Sequence, residues 1–143
     1  MHCYCSICRK ANGGGGYAIN LGGEAESLRI EGRDRLKKYN AKIRKDGKEE
    51  TSPGERNFCG DCGSALWLWD PRWPELIHPN ASAVDTPLPT PPEIVQIFLE
   101  SKPSWIQVPD FNEVKVVNFD AYPKESLEDW HKRHNLFDPP APQ

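Results

Sequence analysis

The sequence lacks long hydrophobic runs. Its longest apolar stretch is ALWLW at residues 65–69, far shorter than the roughly 20 residues that a membrane-spanning helix needs. The amino-terminal residues also lack the apolar segment of a secretory signal peptide. These two absences predict a cytoplasmic protein with no membrane partner.

The sequence also lacks a large excess of positive or negative charge. The 143 residues include 18 lysines and arginines against 21 aspartates and glutamates, which gives a formal net charge of -3. The basic residues concentrate between positions 29 and 48, but acidic residues are mixed among them and aromatic residues are few. Because nucleic-acid sites need a coherent basic face, we interpret this segment as a solvated surface and expect no nucleic-acid partner.

Strong helical patterns are scarce, whereas proline is abundant, with 14 residues in the chain. Between Pro71 and Pro92 the prolines exclude helix and confine sheet to edge positions, so a long irregular loop is predicted there. The best helix signal comes late in the chain. Ser126 is a suitable N-cap for LEDWHKRH, which has acidic residues in its first turn and basic residues in its last.

Most other regular structure is predicted to be strand. YAINL and SLRIEG are short strand candidates, and LKKYN with KIRKDGKEE predicts a strand pair around the turn Asp46-Gly47. ALWLW is apolar on both faces and predicts a buried strand, while EIVQIFLE and VKVVNFD predict two more. A chain of this length forms one ordinary domain. The predicted fold class is therefore mainly β, with a short C-terminal helix.

The five cysteines fall into two groups. Cys59 and Cys62 lie in CGDCGS, where a Cys-x-x-Cys turn lets two thiolates bind one metal ion and the glycine after each cysteine permits the tight turn. A thioredoxin-like redox pair would need a helix starting at the first cysteine, but the following residues predict a strand. Zinc ligation is therefore favoured over redox chemistry, as is usual for clustered thiols in a reducing compartment.

The second group lies in CYCSICRK at the start of the chain. Side chains at positions i and i+2 of an extended segment face the same side, so Cys3 and Cys5 can reach one ion, and Cys8 returns after a short turn. A structural zinc site fills its fourth position with protein, whereas a catalytic site leaves that position to water or substrate. Arg9 and Lys10 follow Cys8 directly, and their charges would favour thiolates.

Spacing alone leaves two divisions of the sulfurs open. In one, which spacing slightly favours, Cys59 and Cys62 join two of the first three cysteines in a single four-sulfur structural site. In the other, Cys3, Cys5 and Cys8 hold an accessible zinc, and the later pair binds a second ion. His2 is expected to face away from the thiols, and His78 is a minor candidate ligand from the proline-rich loop.

Two segments together resemble a known family. CYCSICRKANGG, followed later by RNFCGDCGSALW, is similar to the glutathione-dependent formaldehyde-activating enzymes, a family that includes centromere protein V. Arg56, Phe58, Gly63 and Ser64 match the second element of the family pattern as well as the two cysteines do. The C-terminal segment YPKESLEDWHKRH also resembles members of the family.

The resemblance implies a small, mainly β "tent" in which zinc joins the sheets. Cys3, Cys5 and Cys8 would correspond to the catalytic zinc ligands, and Cys59 and Cys62 to half of a structural set. The implied activity joins formaldehyde to glutathione as S-hydroxymethylglutathione and is classified by its reverse as a carbon–sulfur lyase; a related thiol adduct is the other implied substrate. An accessible zinc could polarise the aldehyde oxygen or hold the incoming thiol as thiolate.

The sequence departs from the family pattern in one respect. Family members carry an earlier Cys-x-Cys in an N-terminal strand, which the printed sequence does not contain. We therefore expect one zinc-binding domain over residues 1–138 without that strand, a disordered tail over residues 139–143, and self-association through an exposed sheet edge. A non-catalytic module, in which zinc only staples a small β scaffold, is the alternative function.

Overall fold

The computed structural model describes residues 1–136, which form two β-sheets with a short helix near each end. The strands are β1 (His2–Cys3), β2 (Ala18–Ile19), β3 (Gly23–Glu24), β4 (Leu36–Lys45), β5 (Lys48–Cys59), β6 (Ala65–Trp69), β7 (Leu76–Pro79), β8 (Glu93–Ile97) and β9 (Lys115–Asn118). The helices are α1 (Ser6–Ala11) and α2 (Leu127–Arg133). The prediction of a mainly β fold with a short C-terminal helix is confirmed.

The first sheet has the strand order β2-β1-β8-β9. Strand β1 lies inside this sheet, antiparallel to β2 and parallel to β8, so that Cys3 pairs with Ala18 on one side and Ile97 on the other. All five residues of β8 are buried, as expected for an interior strand with parallel neighbours. The neighbouring strands thus fix the position of Cys3, although β1 itself has only two residues.

The second sheet has the order β3-β7-β6-β5-β4 and contains a long hairpin of β4 and β5. Asp46 and Gly47 have φ angles of 51° and 76°, which is the backbone conformation that a two-residue hairpin turn requires. The predicted turn is therefore confirmed. The two segments predicted on its amino-terminal side, LKKYN and KIRK, belong to the single strand β4.

Two strand predictions need correction. SLRIEG contains no strand, because its backbone is held by local bonds: Leu28 N donates to Ala25 O, and the Arg29 guanidinium donates to Glu26 O. ALWLW does form β6, but every residue of that strand is half-buried rather than buried. Its Leu66 and Trp67 line an open cavity of about 450 Å³, so these two side chains lack the covering layer that the apolar pattern predicted.

The proline-rich segment is more regular than predicted. It contains β7 and a short 3-10 turn at Ala81–Ala83, and β7 lies between β3 and β6 rather than at a sheet edge. Pro79 is the last residue of β7, so its missing N–H falls where the strand ends and interrupts no interior hydrogen bond. YAINL is also partly regular, because β2 covers only Ala18–Ile19 and Asn20 forms an isolated bridge to Asn80.

The predicted C-terminal helix is present as α2, and the Ser126 hydroxyl caps it by accepting a hydrogen bond from Asp129 N at 3.0 Å. The helix is fastened to the first sheet by Glu93, a carboxylate with 2% side-chain exposure. Arg133 Nη2 lies 2.8 Å from Glu93 Oε1, Trp130 Nε1 donates to the same oxygen, and Lys115 Nζ lies 2.6 Å from Oε2. The predicted domain end at residue 138 and the predicted tail over residues 139–143 lie outside the described residues.

No helix within residues 1–136 is both long enough and apolar enough to cross a membrane.

The Glu93 network predicts a specific pH dependence of stability. Hydrogen bonding to Arg133 lowers the pKa of the Glu93 carboxyl from its ordinary value of 4.5 to about 2. A carboxyl whose pKa is lower in the folded protein contributes stability above pH 4.5 and loses that contribution as the pH falls towards 2. We expect Glu93→Gln to lower the free energy of unfolding by about 2 kcal/mol at pH 7, as measured by urea denaturation.

The difference in stability between wild type and Glu93→Gln should shrink below pH 4.5 and disappear near pH 2. Glu125→Gln is the matched control, because Glu125 binds the same Arg133 from the protein surface, and its loss of stability should be much smaller. A difference for Glu93→Gln that stays constant between pH 7 and pH 3 would contradict the assignment.

Candidate metal centre

The thiols of Cys3, Cys5 and Cys8 converge on one point. Their Sγ atoms all lie within 4.8 Å of one another, and within residues 1–136 this is the one group of three or more Cys, His, Asp or Glu side chains with such spacing. Cys3 comes from β1, Cys5 is the N-cap of α1, and Cys8 lies in the first turn of that helix. All five cysteines of the chain are free thiols.

Helix α1 explains how six residues, Cys3 to Cys8, bring three sulfurs together. The sequence predicted a short turn after Cys5, whereas the structure has a helix whose N-cap is Cys5 itself. The Cys8 N–H donates to Cys5 Sγ at 3.3 Å, and Arg9 N donates to Cys5 O at 3.1 Å. A thiolate that accepts the free N–H groups of a first helical turn is favoured by the helix dipole. Cys3 and Cys5 thus lie close together as predicted, and a helix rather than a turn brings Cys8 to them.

The three thiols differ in exposure and in proton affinity. Cys3 and Cys8 are 3% and 4% exposed, whereas Cys5 is half-buried and faces the accessible side of the group. The hydrogen bonds from Cys3 and Cys8 lower the pKa of the Cys5 thiol. The hydrogen bonds with Cys5 and Cys8, together with burial, raise the pKa of the Cys3 thiol. Of the three thiols, Cys5 is therefore the first to lose its proton.

Two side chains donate to the sulfur of Cys8. Arg56 Nη2 lies 3.7 Å from Cys8 Sγ, and Asn20 Nδ2 lies 3.8 Å from it. Arg56 is only 8% exposed, and no carboxylate of residues 1–136 forms an ion pair with it. Since arginine keeps its charge at physiological pH, a buried guanidinium needs a compensating anion. The adjacent sulfur of Cys8 would supply that charge if it bound a metal ion as a thiolate.

This donor set fits zinc. A zinc ion binds thiolates at about 2.3 Å, which places tetrahedral sulfur ligands about 3.8 Å apart, and the 4.8 Å limit on the three sulfurs is close to that spacing. Thiolates are also the ligands that soft and borderline metals prefer. Three thiolates and a divalent zinc carry one net negative charge, which the buried Arg56 would balance.

The two candidate histidines do not join the thiols. The ring of His2 stacks on Tyr17 with centroids 4.9 Å apart, on the side of β1 away from the sulfurs, as the extended pattern predicted. His78 lies in β7, where its Nδ1 is 3.2 Å from Leu21 O. Neither belongs to the group of converging ligand atoms in the described part of the chain.

Cys59 and Cys62 occupy a separate turn at the end of β5. Gly63 N donates to Cys59 O and Cys59 N to Ser64 O, both at 2.9 Å. Gly63 has a φ angle of 75°, which supports the predicted role of a glycine in the turn. Gly60 is required for another reason, because a Cβ there would come within 2.7 Å of Arg35 O, just before β4.

The sulfurs of this pair do not join the first group. Cys62 is exposed, and its Sγ lies 3.1 Å from the Ser64 hydroxyl, whose hydrogen bond lowers the pKa of the thiol. Residues 1–136 bring no third His, Cys, Asp or Glu ligand to Cys59 and Cys62. The structure thus separates the five thiols into a group of three and a pair, and it does not assemble the shared four-sulfur arrangement that spacing slightly favoured.

Several residues near the thiols carried no signal in the sequence. Tyr122 follows β9, and its ring packs edge-on against Phe98, which in turn packs against the buried group containing Cys3 and Cys8. Partial burial raises the pKa of the Tyr122 hydroxyl, and the nearby positive charge of Arg72 acts in the opposite direction. Asn20 reaches Cys8 Sγ, and Tyr122 reaches Phe98, only through the tertiary fold, so no local pattern could identify either.

Comparison with known proteins agrees with these features. The family model described as glutathione-dependent formaldehyde-activating enzyme matches residues 1–101, which include all five cysteines and Arg56. A protein of Halomonas elongata, whose name assigns it provisionally to glutathione-dependent formaldehyde activation, is 54% identical over 134 residues, which cover 94% of this chain and 82% of the relative. The family model spans both cysteine groups, and the chain belongs to the glutathione-dependent formaldehyde-activating enzyme family.

Proposed function

We propose that this chain is a zinc-dependent enzyme that joins formaldehyde, or a closely related aldehyde, to the thiol of glutathione, and that its class by the reverse reaction is carbon–sulfur lyase. The observation that carries the proposal is the convergence of three thiols with one accessible side beside a buried, otherwise uncompensated Arg56. Family membership supplies the substrate pair.

The reaction needs no oxidant and no protein nucleophile. The sulfur of glutathione forms a bond to the aldehyde carbon, the carbonyl π bond opens, and the thiol proton ends on the former carbonyl oxygen. A bound zinc supplies Lewis acidity for this chemistry and lowers the pKa of a thiol that reaches it. Everything else in the reaction depends on how the chain binds and orients the two reactants.

The residues of the chain divide these tasks. Cys3, Cys5 and Cys8 would hold the metal, and the burial of Cys3 and Cys8 leaves the Cys5 side for substrate. Arg56 and Asn20 hold the Cys8 sulfur in place and withdraw charge from it. Hydrogen bonds to a ligand sulfur weaken its donation to a metal, so they strengthen the Lewis acidity of that metal.

Cys59 and Cys62 would have a structural rather than a catalytic role. Their turn has the shape of a two-thiol metal knuckle, and they would supply two of the four ligands of a structural ion. The free thiols also suit a reducing compartment such as the cytoplasm. Self-association through a sheet edge, and the absence of nucleic-acid and membrane partners, stay predictions from the sequence.

The first test is metal-dependent turnover. Treatment with a chelator should abolish the rate of S-hydroxymethylglutathione formation above the uncatalysed rate, and added zinc should restore it, because the thiols alone cannot polarise the aldehyde. Cys5→Ser should lose both zinc and turnover, whereas Ser6→Ala, which changes the exposed neighbour in α1, should keep both. NMR measures adduct formation, and elemental analysis measures zinc per chain.

The outcomes of this test separate the candidate functions. Wild type that retains zinc but shows no turnover would support the scaffold module instead of the enzyme. Wild type that is folded, free of metal and insensitive to the chelator would contradict zinc binding altogether.

The second test concerns the charge beside Cys8. Arg56→Met should weaken zinc binding by about 10-fold to 100-fold, the usual effect of removing a partner of a metal ligand, because the extra negative charge of three thiolates then lacks a counter-charge. Arg56→Lys keeps the charge and should recover part of the affinity. Competition with a chromophoric chelator measures the affinity, circular dichroism checks folding, and equal affinity in all three folded proteins would contradict this role.

A further inference from the structure

Phe98 has an unusual backbone conformation for an aromatic residue. It directly follows β8, and its φ and ψ angles of 59° and 39° lie in the left-handed region. Within residues 1–136 the other non-glycine residues with positive φ are Asp46 in the hairpin turn and Asn135 just after α2, and Asp and Asn tolerate this conformation best. A bulky side chain there costs free energy, and such strain persists only where other interactions offset it.

The left-handed backbone changes the face of the first sheet on which Phe98 lies. Successive side chains of a strand alternate between the two faces. Cys3 pairs with Ile97, so these two residues share a face, and a regular continuation of β8 would place Phe98 on the opposite one. Phe98 instead packs against the buried cluster that contains Cys3, Cys8 and Ile97. The strained turn therefore brings an aromatic ring to the face of the sheet that carries the sulfurs.

The ring of Phe98 is held from both sides. Phe98 N donates to Ala121 O at 3.3 Å, and Ser101 N donates to Phe98 O at 3.0 Å. The ring of Tyr122 packs edge-on against that of Phe98, with centroids 4.6 Å apart. Tyr122 is 61% exposed, Phe98 is half-buried and Cys3 is 3% exposed. The two rings thus lie in sequence between solvent and the cluster that contains the sulfurs.

We propose that Phe98 is a positioning residue of the metal centre, whose ring, backed by Tyr122, shields the sulfurs of Cys3 and Cys8 from water and thereby slows the loss of the metal ion. The inference rests on the zinc binding of the proposed function but not on its turnover. An apolar layer around a metal site controls solvent access and the local dielectric. This role explains why the position holds a phenylalanine, although a glycine would adopt the same backbone without strain.

The test measures how fast the zinc-loaded full-length protein releases zinc to an excess of a chromophoric chelator. Phe98→Gly removes the ring and relieves the backbone strain, and it should release zinc about tenfold faster than wild type, the lower end of the usual effect of changes around metal ligands. Phe98→Leu keeps part of the apolar cover and should release zinc about threefold faster. Urea denaturation checks that each variant is folded.

Two variants are matched controls. Asp46→Gly relieves the same backbone conformation in the hairpin turn, which does not contact the cluster. Phe111→Leu removes a ring that packs against His2, on the side of β1 away from the sulfurs. Both controls should release zinc at the wild-type rate even where their stability changes, which separates shielding of the sulfurs from general loosening of the fold.

Alkylation of Cys3 by iodoacetamide gives a second readout that does not need zinc. Its rate in chelator-treated protein, measured by peptide mass spectrometry, should rise from wild type to Phe98→Leu to Phe98→Gly, because thiol reactivity follows exposure. Tyr122→Ala changes an exposed side chain and keeps the test conclusive if Phe98→Gly does not fold. It should raise the alkylation rate by about twofold.

Equal rates of zinc release and of Cys3 alkylation in wild type and Phe98→Leu would overturn the shielding role, as would an equal acceleration in Phe111→Leu. If turnover is present while these rates are equal, the proposed function stands and only the shielding role fails. If turnover is absent while both rates follow the predicted order, the shielding role stands and the proposed function fails.

Discussion

The buried charge of Arg56 is the constraint on which the arrangement of the site depends. A guanidinium that is 8% exposed and has no carboxylate partner within residues 1–136 would be costly unless an anion lay beside it. Within residues 1–136, its one side-chain hydrogen bond goes to the sulfur of Cys8. The cation thus favours thiolates in the adjoining group, and a group of thiolates favours a bound metal ion. The same buried charge therefore governs both the electrostatics of the fold and the chemistry of the site.

The site forms only where the two sheets meet. The first sheet and α1 supply the three sulfurs, whereas Arg56 comes from β5 in the second sheet. The bridge between Asn20 and Asn80 and the bond from Leu21 N to Pro79 O hold the sheets together nearby, and Asn20 itself donates to Cys8. Residues that join the sheets therefore also orient the thiols, which couples the stability of the domain to the geometry of the site.

The C-terminal helix completes the surroundings of the thiols. Trp130 packs against the buried group formed by Cys3, Cys8, Val95 and neighbouring residues, and its indole N–H binds Glu93 at the start of β8. The ion pairs at Glu93 thereby position the Trp130 ring against the cluster that contains Cys3 and Cys8, whereas Cys5 is half-buried. A low-dielectric wall on one side strengthens electrostatic interactions across the site.

Local chemistry in the sequence determined much of this protein. The hairpin at Asp46-Gly47, strands β8 and β9, the Ser126-capped helix and the close approach of Cys3 to Cys5 all follow from turn residues, β-branched runs, capping and the period of an extended chain. Predictions from the sequence were wrong where local and tertiary hydrogen bonds compete. SLRIEG forms local turns instead of the predicted strand, and β7 lies inside a sheet despite its proline.

Only the tertiary structure decided how the five thiols divide and which groups surround them. Spacing along the chain restricts neighbours a few residues apart, but it carries no information on whether Cys59 approaches Cys8, or on where Arg56 and Asn20 lie relative to the thiols. Those relations depend on the packing of two sheets whose contacts join residues far apart in sequence. The sequence therefore determined the thiol chemistry, whereas the fold determined the charge, the exposure and the neighbours of those thiols.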